Sequence, residues 1–179
     1  MVEFASRRRP AFWALFAGLA VLWLFVRLLP LSTLPPAVPG PDLLVCLVFA
    51  WVLRRPEYMP VALITIVVLI EDFLILRPPG LWALMVVLGS EFLRRRQALM
   101  REFSFPAEWV IVAVVLLCML IGQRALLALT MVPQPPLGQA LLQVLVTLAA
   151  YPLVVAVSHL LFRVRKPATG AVDELGRPL

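Results

Sequence analysis

Apolar runs and polar breaks alternate along this chain in a pattern that predicts six helices. The runs are Ala11 to Leu29, Leu43 to Leu53, Met59 to Leu76, Pro78 to Leu93, Ala107 to Leu129 and Gly138 to Phe162. Between them lie the stretch Leu31 to Pro41 with Pro35, Pro36, Pro39, Gly40 and Pro41, then Arg54-Arg55-Pro56, Arg77-Pro78-Pro79-Gly80, the basic turn Arg94 to Arg101, and Met131 to Leu137. Prolines lack a backbone donor and disfavour helix in the residue before them, so these breaks end helices. A run near 20 residues matches a hydrocarbon core of ~30 Å. The second run, of eleven residues, reaches only about 16 Å. Either the proline stretch dips into the bilayer against neighbouring helices, or this is a half-length helix capped by Asp42. Pro78 and Pro79 are expected in the first turn of the fourth helix, where no intrahelical donor is lost, and Pro152 is expected to kink the sixth.

Composition places the pattern in a membrane. Of 179 residues 63% are hydrophobic and 15% charged, against roughly 25% charged in soluble domains, and mean hydropathy is +0.99. The reading is an all-α integral membrane protein: a single six-transmembrane-helix bundle over residues 11–162, a cytoplasmic N-terminus at 1–10, and a disordered cytoplasmic tail at 163–179. The net charge of +6 does not indicate nucleic acid, because the basic residues sit at the ends of apolar runs rather than along one face. Arg7, Arg8, Arg9, Arg54, Arg55, Arg94, Arg95, Arg96, Arg101, Arg163, Arg165, Lys166 and Arg177, thirteen of the sixteen, fall on one side of a six-span arrangement. Arg27, Arg77 and Arg124 fall on the other. The asymmetry puts both termini in the cytoplasm. The arginines ahead of the first run do not make it a cleaved signal, since it is as long as a crossing and no small-residue cleavage site follows.

Little catalytic chemistry is legible. Cys46 and Cys118 lie inside apolar runs and read as small hydrophobes, and the single histidine, His159, belongs to no metal-ligand spacing. Ser158 and His159 are helix neighbours whose side chains diverge by ~100°, so they do not form a nucleophile and base. No Gly-rich phosphate loop is present, and the expectation is a protein without catalytic residues, metal or cofactor. The polar residues inside the runs are more informative. Asp42 lies twelve residues from Arg54, and Asp72 twelve from Pro60, which places both about 18 Å from the inner interface. Asp42, Glu71 and Asp72 thus share an outer layer with Arg27, Arg77 and Arg124. That layer reads either as a charge-compensated pocket or docking patch, or as a helix cap with arginines that snorkel to headgroups. Gln139, Gln143, Thr147 and Tyr151 follow one another at i+4 steps, a stripe expected to face the bundle interior or a partner helix. Gly89-Ser90 is expected to mark close helix packing.

The order PDLLVCLVFAWVLRRPEYMP, an apolar run ending EDFLILRPPG, then LWALMVVLGSEFLRRR, over residues 41–96, resembles the rod shape-determining MreD family. The matching positions are Pro41, Asp42, Arg54, Arg55, Pro56, Asp72, Gly80 and Glu91, while Glu71 beside Asp72 departs from the pattern and leaves open which acid takes the family role. The resemblance implies a non-enzymatic scaffold of the cell inner membrane. Its implied partners are MreC directly, with MreB, RodA and the penicillin-binding protein complex indirectly. It also implies a fold similar to the substrate-binding membrane components of vitamin transporters. The alternative function is accordingly a small-molecule binding component. The sequence argument against it is that a ligand pocket calls for aromatic lining, where the chain has only two tyrosines, and for polar residues at matching midplane depth on several helices, which it lacks.

Overall fold

In the computed structural model, which describes residues 2–29, 39–101 and 103–162, the described residues are all-helical. The helices are α1 (Val2–Leu28), α2 (Leu43–Arg54), α3 (Val61–Leu74), α4 (Leu81–Arg95), the short α5 (Gln97–Arg101), α6 (Phe105–Leu129) and α7 (Leu137–Phe162), with a 3-10 turn at Pro56–Tyr58. The expected tail at 163–179 and most of the proline stretch, residues 30–38, lie outside the described residues.

Three helices are long and apolar enough to cross a membrane, through Pro10–Leu28, Phe105–Leu129 and Leu137–Leu160. At 12, 14 and 15 residues, α2, α3 and α4 reach only about 18 to 22 Å, short of a ~30 Å core. Where the pattern predicts six crossings, three helices attain the length of one. α2 is the half-length, Asp42-capped helix of the two sequence alternatives.

Several boundaries move, each for a local reason. Residues 2–10, expected to precede the first span, continue it as one helix with Pro10 inside. Pro78 and Pro79 lie before α4 rather than in its first turn, because Gly80, at φ +84°, makes the left-handed bend that starts the helix at Leu81. Met59, Ile75 and Leu76 are apolar but belong to turns, and Leu76 is itself left-handed at φ 57°. The basic turn after Arg94 contains α5.

α2 is the centre of the bundle. All its residues but Leu43 and Leu47 are buried, and it packs against α7, α4 and α1. With no hydrophobic drive between helices in lipid, such contacts rest on packing and hydrogen bonds, and both are visible here. Along the α2–α7 contact the Asp42 N–H donates to Thr147 Oγ1 (3.0 Å), Cys46 Sγ to the Thr147 carbonyl (3.3 Å), and Trp51 Nε1 to Ser158 Oγ (3.2 Å). On the far side, Phe12 of α1 stacks on Tyr58 with ring centroids 4.1 Å apart, and Phe16 packs against Trp51. Gly89 of α4 lets that helix close on α2 and α6, because a Cβ there would meet Phe49, Val115 and Met119 at 3.0 to 3.2 Å.

Pro152 lies inside α7 and has no N–H for the carbonyl of Leu148, four residues earlier. The Trp109 indole of α6 donates to that carbonyl at 2.9 Å. The break in one helix's ladder thereby becomes a bond between two helices, as accounting for every backbone acceptor requires.

Candidate functional site

The site is built from the start of α2. Pro39, Gly40 and Pro41 hold the approaching chain out of the helix, and Asp42 caps it, Oδ1 accepting from the Val45 N–H at 3.2 Å. Its bond to Thr147 fixes how deep this cap sits. Thr147 is ten residues past the first residue of α7, so α2 begins about 15 Å inside the end of its neighbour. Because the central helix starts so late, a cavity of about 280 Å³ is left above it. The start of α2, the α3–α4 turn, the later half of α6 and the first half of α7 line it.

This cavity gathers Asp42, Arg77, Gln123, Arg124, Gln139, Gln143 and Thr147 onto one surface, beside Val45, Trp82, Leu116, Leu120 and Val144. Polar residues of several helices therefore meet on one surface. The i+4 stripe of α7 is the reason, since it descends from exposed Gln139 through half-buried Gln143 to buried Thr147 and Tyr151. Arg124 is tied to the rim, donating from Nη1 to the Pro135 carbonyl at 3.1 Å while Gln134 donates to its own carbonyl. The Arg77 guanidinium lies over the Trp82 ring, 5.5 Å from the centroid.

The six charged residues expected in one layer divide into three arrangements. Arg27 donates to Glu71 Oε1 in an ion pair that ties α1 to α3, rather than reaching for headgroups. Asp72 reaches over the turn and caps α4, Oδ2 accepting from the N–H groups of Gly80 (3.1 Å) and Ala83 (3.2 Å). Asp42 faces the cavity with Arg77 and Arg124. Glu71 still feels the charges of Asp42, Arg77 and Asp72, so the first two arrangements adjoin the third. Of the adjacent acids, Glu71 is the ion-pair partner and Asp72 the cap. Each of the three carboxylates has at least one oxygen committed within the bundle. Among the described residues Asp42 Oδ2, Glu71 Oε2 and Asp72 Oδ1 are buried without a hydrogen-bond partner.

The remaining motif positions cluster at the opposite end. Arg55 pairs with Glu57 at 3.2 Å, and Glu91 with Arg94 and Arg95, each at 3.3 Å. Arg94 also donates to the carbonyls of Pro56 (3.1 Å) and Met59, clamping the 3-10 turn to the end of α4. Arg54, counted in the sequence as an interfacial charge, is buried instead. Its Nη1 donates to Glu108 Oε1 at 2.9 Å and to the Ala50 carbonyl at 3.1 Å, and the Tyr151 hydroxyl donates to the same Glu108 oxygen at 2.7 Å. Glu108 was not singled out in the sequence. The available signal was a lone acid early in an apolar run, FPAEWV.

Ser158 is engaged by Trp51 as described, and His159 is exposed. Among the described residues no group of three or more His, Cys, Asp or Glu side chains forms a metal-ligand set. Compared with protein-family models, with curated proteins and with solved structures, the chain has no match.

Proposed function

We propose that the chain is a non-enzymatic scaffold of the MreD type, set in the cell inner membrane by six helices with both termini cytoplasmic. In this reading it docks MreC and through it serves the machinery of cell-wall elongation. The ordered motif over residues 41–96 carries the proposal. Supporting it, the motif residues are spent on architecture: Asp42 and Asp72 cap helices, Arg54 forms a buried ion pair, and Gly80 bends the chain.

Neighbouring helices run in opposite directions, which keeps Arg27, Asp42, Asp72 and Arg124 at one end of the bundle and Arg54, Arg94 and Glu108 at the other. With α2, α3 and α4 counted as short crossings, the basic asymmetry orients the second end to the cytoplasm. A reporter fused at Gly80 is then expected to read as periplasmic and one at residue 98 as cytoplasmic. A cytoplasmic signal at Gly80 overturns the six-span arrangement.

The scaffold itself is tested by co-expression with MreC from the same organism. The solubilised, folded chain is expected to recover MreC in a fixed ratio, and folded protein that recovers none overturns the reading. The cavity at the Asp42 end favours a second reading, a small-molecule binding membrane component, which predicts a ligand retained through purification.

A further inference from the structure

The cavity above α2 has a chemistry more specific than its shape. Asp42 is 2% exposed and contributes to the wall, with Oδ1 spent on the helix cap and Oδ2 lacking any donor among the described residues. A buried carboxylate oxygen without a donor is costly, and the deficit is removed by a ligand that brings an N–H or O–H. The same wall carries Arg77 and Arg124, two guanidinium groups suited to a bidentate oxyanion. Trp82, also in the wall, has a buried indole N–H without a hydrogen-bond partner among the described residues. One acceptor lacking a donor beside donors suited to an anion describes a molecule with a negative centre and a hydrogen-bond donor a few bonds away.

Size and setting narrow it further. At about 280 Å³ the space falls just below the usual ~300–1,000 Å³ of small-molecule sites, enough for a headgroup and not for a large glycolipid. The lining is mixed, with Leu116, Leu120 and Val144 among the polar groups, and the outer faces of the same helices expose Ile121 and Leu145. A molecule with a polar head in the cavity and apolar chains along α6 and α7 satisfies both surfaces.

We propose that this cavity binds a phospholipid headgroup whose phosphodiester lies against Arg77 and Arg124 and whose terminal amine or hydroxyl donates to Asp42 Oδ2. The chemistry fits phosphatidylethanolamine and phosphatidylglycerol. Phosphatidylcholine has the phosphate but no donor and is disfavoured. The inference deepens the second reading at its own site, and it stands or falls apart from MreC docking.

The test is lipid retention by the full chain in mild detergent, read by native mass spectrometry after exchange into the three lipids with identical acyl chains. The ethanolamine and glycerol lipids are expected to be retained about tenfold over the choline lipid, the value of one charge-assisted hydrogen bond. D42N keeps a capping oxygen and hence the fold; it is expected to reduce that preference to below about threefold while choline lipid binding persists. The R77Q, R124Q double variant is expected to lower retention of all three. Equal retention of the three lipids by the unaltered chain overturns the proposal, as does a preference that survives D42N. Displacement of lipid by free glycerophosphoethanolamine or inorganic phosphate at matched concentration also overturns it, since the site then takes a soluble phosphate.

Discussion

Glu108→Ala is expected to destabilise the bundle by about 3 to 5 kcal/mol, because it leaves the guanidinium of Arg54 buried without its counter-charge. Arg54 is 6% exposed and Glu108 fully buried, and the pair joins α2 to α6 while Tyr151 brings in α7 through the same carboxylate oxygen. Tyr151→Phe removes one hydrogen bond and leaves the charges paired, so its cost is expected near 1 kcal/mol. Replacing both charges, Arg54→Met with Glu108→Leu, is expected to recover most of the loss, since an apolar pair of similar volume needs no compensation. Unfolding of the purified protein in mild detergent measures all three. A Glu108→Ala variant within about 1 kcal/mol of the parent would show that water reaches Arg54 and that the ion pair holds little together.

Gly89→Val is expected to destabilise the bundle strongly. A Cβ alone would lie 3.0 Å from Met119 Sδ, 3.1 Å from Phe49 Cζ and 3.2 Å from Val115 Cγ1, contacts on two different helices. Met119 is flexible and can yield. Phe49 cannot, being fully buried in α2. Gly89→Ala is expected to cost about 1 to 3 kcal/mol through overpacking, and Val more, because its branched methyls force α4 away from both neighbours. The readout is the yield of monodisperse protein and its melting temperature. Gly18→Val serves as the comparison, since nothing lies within 4 Å of a Cβ there, and equal loss in the two variants would refute the packing argument.

The helical pattern was legible because apolar runs and prolines record it directly, and the Asp42 cap because Pro-Asp before a leucine run is a local signal. Helix ends were less so. Met59, Ile75 and Leu76 look like span residues by hydropathy, yet each lies in a turn, since apolar character records surroundings and not where the hydrogen-bond ladder stops. The Arg54–Glu108 pair was invisible for another reason. Its members are 54 residues apart, and each alone is indistinguishable from an interfacial charge. The cavity depends on the offset between α2 and α7, which a single bond, Asp42 to Thr147, reveals and no one segment encodes.

The unequal helix lengths have a mechanical consequence. α3 and α4 expose Ile66, Ile70, Phe73, Leu84, Leu88 and Phe92 over helices of about 21 and 22 Å, whereas α6 and α7 present about 38 and 39 Å. In the six-span arrangement proposed above, lipid in contact with the first pair must thin, and lipid beside the second must thicken or meet tilted helices, at a fraction of a kcal/mol per Å of mismatch. The molecule therefore imposes a slope on the bilayer around it. In membranes of short acyl chains the strain falls on the α6–α7 side, in long ones on the α3–α4 side, and chain length sets where in a heterogeneous membrane it rests at lowest elastic energy.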